Sequence, residues 1–299
     1  MSMIGSSYLQ ADVLTRAEAL GLKARRIVEG LRVGDHKSPY KGFSVEFVQH
    51  REYVPGDDIR HIDWKSYARS DRYTIKQYEQ ETNFIAHLLL DASNSMRYGS
   101  GLTNKLEYAK LLAASLSYLI LRQRDSVSLR VFNTEVETEL PPSSQFGHLM
   151  SITRTLEEIQ PRQGTSIGPV LDRLADQVSR RGIVILISDC LEESLEPILS
   201  GLRHLRFRGH EVILFHILHH DEVEFPLYGN IRFVALEGME ELLTRPHLIR
   251  PTYLRIVQQY LQDIRKGCDG SGVDYVQMFT NRSLGQTLAE YLVRRLKKN

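Results

Sequence analysis

Asp91, Ser93 and Ser95 stand at alternate positions directly after an apolar run, in FIAHLLLDASNSMRYGS. A buried strand has little reason to end on a carboxylate and two hydroxyls unless those groups meet a common partner. Two further residues join them. Thr165 lies in the loop RQGTSIG, just ahead of a helical pattern, and Asp189 ends a second apolar run, IVILISD. The five together offer two carboxylates and three hydroxyls, all oxygen. Such a set suits a hard divalent cation, Mg2+ or Mn2+, rather than zinc. The hydroxyls are uncharged, so two carboxylates roughly neutralise the ion. The metal stays electrophilic, with a position open to a carboxylate from outside.

For these distant residues to meet, the elements carrying them must share one edge of a sheet. From Asn83 onward, apolar strands alternate with helical patterns: FIAHLLLD, IVILISD and EVILFHIL are the buried strands, and NKLEYAKLLAASLSYLILRQRD is the first long helix. Asn104 stands as its N-cap with Glu107 three residues on. SVSLRVFN and VETELP read as a hairpin across an Asn-containing turn. TSIGPVLDRLADQVSRRG reads as a helix with Pro169 in its first turn and Gly182 past its end. PTYLRIVQQYLQDIRKG and SLGQTLAEYLVRRLKK are helices around the strand VDYVQMFT. Continuous apolar strands separated by helices predict an α/β fold: a doubly wound, mostly parallel, Rossmann-like sheet with an antiparallel edge. In such sheets ligands collect at the carboxyl ends of the strands, at the switch point. Asp91 and Asp189 are expected there, side by side.

The expected division is an N-terminal α+β segment over residues 1–82 and the sheet domain over 83–299. A surface hairpin interrupts the second near 221–240. In the first, a helix is expected over about 10–32 and strands at Phe43–Phe47 and Tyr73–Tyr78, with a short helix within PGDDIRHIDW. Acidic and basic residues nearly balance in this segment. Arg51, Asp57, Asp58, Arg60, Asp63, Trp64 and Arg69 read better as an internal clasp onto the sheet domain than as a docking surface.

Composition sets outer limits. The chain has 299 residues, 42% hydrophobic and 25% charged, and a formal net charge of +1, so nothing global points to nucleic acid or a membrane surface. Its two cysteines, Cys190 and Cys268, make no disulfide framework. No signal peptide and no membrane span are legible, so a cytoplasmic location is expected.

Three parts in order, D-x-S-x-S after an apolar strand, a Gly-Thr loop and a strand-end Asp, resemble the metal-ion-dependent adhesion site of von Willebrand factor type A domains. The matching residues are Asp91, Ser93, Ser95, Thr165 and Asp189. Glycine often follows the last Asp in those domains. Here Cys190 follows, expected to narrow the rim while leaving the ligand in place. SVEFVQHREYVPGDDIRHIDWKSYAR ahead of YTIKQYEQET resembles the signature of the family called domain of unknown function 58. That resemblance implies a non-enzymatic adaptor or co-chaperone for a MoxR-type AAA+ ATPase in protein maturation or remodelling. The partner would contact the metal through an acidic residue.

Other motifs are weaker. GTSIG, around Ser166, matches a nucleophile elbow but follows a helix end and Pro161 rather than a strand. GSGLTNK ends in Lys105 but lacks the phosphate-loop pattern. Asp91 lacks the second aspartate that haloacid dehalogenase-like phosphatases carry two residues on. His216, His219, His220 and Asp221 read as a solvated strand end, and RRLKK as a solvated helix end. The remaining alternatives are a Mg2+-dependent hydrolase at the same crevice and a scaffold with an unoccupied metal site.

Overall fold

The computed structural model describes residues 45–54, 63–70, 72–80, 85–162, 164–234 and 241–298. They fall into two compact units that divide between Asn83 and Phe84. The helix expected over residues 10–32 and the turn in PGDDIRHIDW lie outside the described residues.

The smaller unit pairs β1 (Val45–Glu52) antiparallel with β2 (Thr74–Gln80), Glu52 opposite Thr74. Between them runs α1 (Trp64–Ser70). Asp63 caps it: its Oδ1 accepts from the Ser66 amide at 3.3 Å. Tyr67 stacks on Tyr73, ring centroids 4.4 Å apart. Of the residues expected to form a clasp, Asp57, Asp58 and Arg60 and the side chains of Arg51 and Arg69 lie outside the description.

The larger unit is built on a six-stranded sheet. Its strands are β3 (Ile85–Asp91), β4 (Ser126–Phe132), β5 (Val136–Ser143), β6 (Ile183–Ser188), β7 (Glu211–Leu218) and β10 (Asp274–Phe279), in the order β10-β7-β6-β3-β4-β5. All neighbours are parallel except β4 and β5, which form the antiparallel edge hairpin. Its turn is held by Asn133, whose Oδ1 accepts from the Thr134 and Glu135 amides.

The chain goes from β3 outward through β4 to the edge, then returns to lay β6 on the other side of β3. The switch point is therefore between β3 and β6. The runs look continuously apolar because both faces are covered, and alternate residues part between two cores. Leu88 and Leu90 join one core, with α2 (Lys105–Arg122), α3 (His148–Glu158) and α8 (Leu284–Lys298). Leu89 and Leu186 join the other, with α4 (Ile167–Gln177), α5 (Glu196–Phe207) and α7 (Pro246–Gly270). This is the expected mostly parallel α/β sheet. Among the described residues, no helix is long and apolar enough to cross a membrane.

Several local expectations shift. α4 ends at Gln177, well before Gly182. Gly182 serves a close approach instead: a Cβ there would lie 2.4 Å from the Ile85 carbonyl oxygen. The surface hairpin is β8 (Ile231–Val234) with β9 (Glu241–Thr244), later than expected, because His220–Glu224 coils into the short helix α6. The terminal RRLKK is not wholly solvated. Arg295 is buried and pairs with Asp274 and Glu211.

Two predictions follow from these contacts. Gly182→Ala should cost about 1–3 kcal/mol in urea unfolding, because the new methyl meets backbone that cannot yield. The second concerns His87 on β3, buried with Nδ1 2.8 Å from Ser128 Oγ. Burial, then the nearby charges of Arg130 and His210, lower its pKa from 6.5 to about 4. The unfolded chain thus takes up a proton that the fold refuses. Stability is complete above pH 6.5 and falls toward pH 4, by up to about 3 kcal/mol from this group. His87→Gln should flatten that slope between pH 7 and 4.5.

Candidate functional site

β3 and β6 run parallel with Leu90 level with Ile187. Asp91 is thereby level with Ser188, and Asp189 lies one residue further along the same crest. Ser188 donates to Asp91 Oδ2 at 2.6 Å and accepts from the Cys190 amide. The Ser93 amide donates to the other carboxylate oxygen, Oδ1, at 2.9 Å, because the chain turns sharply after β3 into the 3-10 turn Asn94–Arg97. That turn puts Ser95 Oγ 3.0 Å from Ser93 Oγ. Ser95 also helps to hold the Asp189 pKa down. Asp91, Ser93 and Ser95 are thus linked in one buried hydrogen-bonded group, and Asp189, the fourth of the five residues singled out from the sequence, is buried near enough for its charge to act on Asp91.

Thr165 stands apart from that group. Its loop is drawn to the crest by the Arg162 amide, which donates to the Ala92 carbonyl, and by a parallel bridge between Ser93 and Arg162. The Ser166 amide donates to Asn133 O. Thr165 Oγ1 is buried yet has no hydrogen-bond partner. Ser166 follows no strand, so the nucleophile elbow lacks its geometry.

The electrostatics are uneven. Burial, then the charge of Asp189, raises the Asp91 pKa to about 7, against the pull of its hydrogen bonds from Ser188 and Ser93. Burial would raise Asp189 too, but the Lys105 ammonium beside it holds it below the ordinary carboxylate range. Lys105 opens α2 and is 1% exposed. Its Nζ donates to Asp189 Oδ2 at 2.7 Å and to Glu222 Oε1 at 2.6 Å. Despite burial, those two carboxylates hold it protonated. Sequence reasoning missed Lys105, Glu222 and Ser188. One signal was present for Lys105: a cation in the first turn of a helix opposes the dipole and needs compensation.

Neighbouring groups are already engaged. His216 is buried, with Nε2 2.8 Å from the Asp189 carbonyl oxygen and Nδ1 2.7 Å from the Tyr275 hydroxyl. Glu192 Oε1 accepts from the Ile167 amide at the start of α4. His219 is buried and caps α6, its Nδ1 accepting from the Asp221 amide, which corrects the expected solvated strand end. His219, His220 and Asp221 do bring potential ligand atoms within 4.8 Å of one another. Asp221 and His219 are held by Tyr98, through its hydroxyl and its ring respectively.

Cys190 does not narrow the rim. It takes a left-handed backbone, φ 52, and its side chain is fully buried. That conformation accounts for glycine being favoured at such a position. The next residue, Leu191, is 57% exposed on the crest. The loops carrying Ser95 and Thr165 also border a cleft of about 340 Å³ lined by Arg97, Asn104, Glu107, Lys110 and Pro161.

Comparison with known proteins places the chain. The model of the family described as protein of unknown function DUF58 matches residues 49–260. The chain belongs to this family. Uncharacterized proteins of Mycobacterium tuberculosis (strain H37Rv) and Mycobacterium bovis are 26% identical over 290 residues, covering 94% of this chain and 89% of theirs. An aerotolerance-related membrane protein from Bacteroides fragilis, bearing multiple mutations to serine, is similar in structure. It is 21% identical, covers 72% of this chain and 100% of that one, and has a TM-score of 0.49. A von Willebrand factor type A protein from Catenulispora acidiphila is 11% identical over 75% of this chain and 43% of that one, with a TM-score of 0.40.

In this DUF58 chain the hydroxyl of Ser188 serves both Asp91 and the turn after β6. Ser188→Ala should lower stability at pH 8, where Asp91 is charged, by about 1.5–3 kcal/mol in chemical denaturation. An unchanged midpoint would mean that water replaces the hydroxyl.

Proposed function

We propose that this DUF58 protein is a non-enzymatic, metal-dependent protein-binding adaptor. Asp91, Ser93, Ser95, Thr165 and Asp189 would hold Mg2+ or Mn2+, some of them through water. The observation that carries this reading is the buried, partnerless hydroxyl of Thr165 on a loop joined to the crest that bears the other four residues. A buried hydroxyl without a partner, on a loop bridged to Ser93, is the kind of oxygen that a divalent cation would take up. The donors are all hard oxygens, which fits a divalent ion of that class. A bound metal would supply a Lewis-acidic position for a carboxylate of the partner.

The surroundings support binding over hydrolysis. A metal-dependent hydrolase needs a free general base near the metal-bound water. His216 has both ring nitrogens engaged, and burial lowers its pKa to about 4. Glu192 is engaged by the start of α4. Exposed Leu191 on the crest offers apolar contact to a protein instead. The resemblance drawn from the sequence names the partner class: a MoxR-type AAA+ ATPase engaged in protein maturation or remodelling, presenting a Glu or Asp to the metal.

Titration calorimetry with Mn2+ should show one site in the wild type and a loss of at least about a hundredfold in affinity for Asp91→Ala. Affinity for a purified MoxR-type ATPase should fall by a similar factor in EDTA. Mn2+ binding with ATPase affinity indifferent to EDTA would leave the site but remove the metal-bridged contact.

A further inference from the structure

Lys105 occupies an awkward place for a cation. It is the first residue of α2, where the helix dipole is positive, and it is almost fully buried. Its ammonium stays there because two carboxylates from distant parts of the chain reach it, Asp189 from the end of β6 and Glu222 from α6. Tyr98 adds its ring, 5.9 Å from Nζ to the centroid. Asp189 is one of the five residues proposed above to hold the metal. One oxygen of that carboxylate is therefore bound by a cation that the chain itself supplies.

The second carboxylate differs from the first. Asp189 is 3% exposed at its side chain, whereas Glu222 is 26% exposed. Glu222 is also firmly held. Its other oxygen, Oε2, accepts from the His219 amide at 2.8 Å, and its backbone carbonyl accepts from the Tyr253 hydroxyl at 3.0 Å. It is thus a fixed anion at the edge of the crest, able to keep an ammonium that has let go of Asp189.

Accepting the metal site proposed above, we infer that Lys105 is its resident counter-cation and sets its metal affinity. A divalent ion gains Asp189 as Lys105 releases it, and Glu222 retains the displaced ammonium. Two cations sharing one buried carboxylate repel strongly, so the exchange weakens metal binding relative to a site without the lysine. The same exchange keeps Asp189 compensated when no metal is bound, since an uncompensated buried carboxylate is strongly destabilising. The site then fills only where the divalent ion is abundant enough to outcompete a tethered ammonium. The two anchors have opposite effects: Lys105 opposes the metal, and Glu222 favours it by sheltering Lys105.

The test uses Mn2+ alone as probe, with calorimetry and electron paramagnetic resonance on the full chain. Lys105→Met, which keeps the length and apolar stem, should bind Mn2+ at least about tenfold tighter than wild type, and Glu222→Gln should bind it at least about fivefold more weakly. Adding Asp91→Ala to Lys105→Met should abolish the gain, showing that the ion sits on the crest. Equal or weaker binding by Lys105→Met, with the wild type still binding, overturns the inference and leaves the metal site standing. Absence of Mn2+ binding in wild type and Lys105→Met alike overturns both. Should Lys105→Met unfold without metal, its denaturation midpoint should rise more steeply with Mn2+ than that of wild type, and a parallel rise overturns the inference. Glu222→Gln, which leaves Asp189 paired, tests it separately: unchanged or tighter Mn2+ binding there overturns it.

Discussion

Two carboxylates, Asp91 and Asp189, are buried at adjoining strand ends, where each disfavours the charge of the other. Burying one unpaired charge costs several kcal/mol, and two of like sign cost more. The structure around the switch point is an answer to that constraint. Ser188 and the Ser93 amide hydrogen-bond Asp91, while Lys105 and the Leu191 amide hydrogen-bond Asp189. Each donor comes from the turn directly after a strand, from a strand end, or from the first residue of a helix. The crest is consequently the place where the ends of β3 and β6 and the start of α2 must agree in position.

That agreement depends on the two-sided sheet. β3 and β6 are central strands with apolar residues on both faces, and neither slides without disrupting two cores at once. Gly182, packed under the Ile85 carbonyl, sets their closeness at the opposite end. The rigid scaffold can therefore hold a strained feature at the crest. Cys190 accepts a left-handed backbone because its amide is held by Ser188 and its side chain is buried. Its carbonyl also accepts from the Tyr260 hydroxyl. The binding reading and the lysine exchange both draw on this arrangement, since loops at a sheet crest can vary while the strands stay fixed.

Much of the fold was legible because its signals are local. FIAHLLLD, IVILISD and EVILFHIL carry apolar residues at both odd and even positions, which only strands covered on both faces require. Asn104 ahead of Lys105–Arg122 announced a cap, and its side chain does accept from the Glu107 amide, although Glu107 itself pairs with Lys110 instead of closing the box. Boundaries were less legible. Gly182 resembled a helix end but serves strand packing, and HHDEVE resembled a strand end but forms α6 because His219 and Glu222 cap it reciprocally.

By itself, the sequence determined the mostly parallel α/β sheet and put Asp91, Ser93, Ser95 and Asp189 at or just past strand ends. Periodicity and hydrophobic runs act between near neighbours in the chain, so they are written in order along it. Only the tertiary structure decided that Asp91 would share Ser188, that Asp189 would share Lys105 with Glu222, and that Arg295 would be buried against Asp274 and Glu211. Those partners lie far apart in sequence, and a charge has no period. What pairs with what depends on which carboxylates the packed sheet has removed from water, and that is known only once the strands are in register.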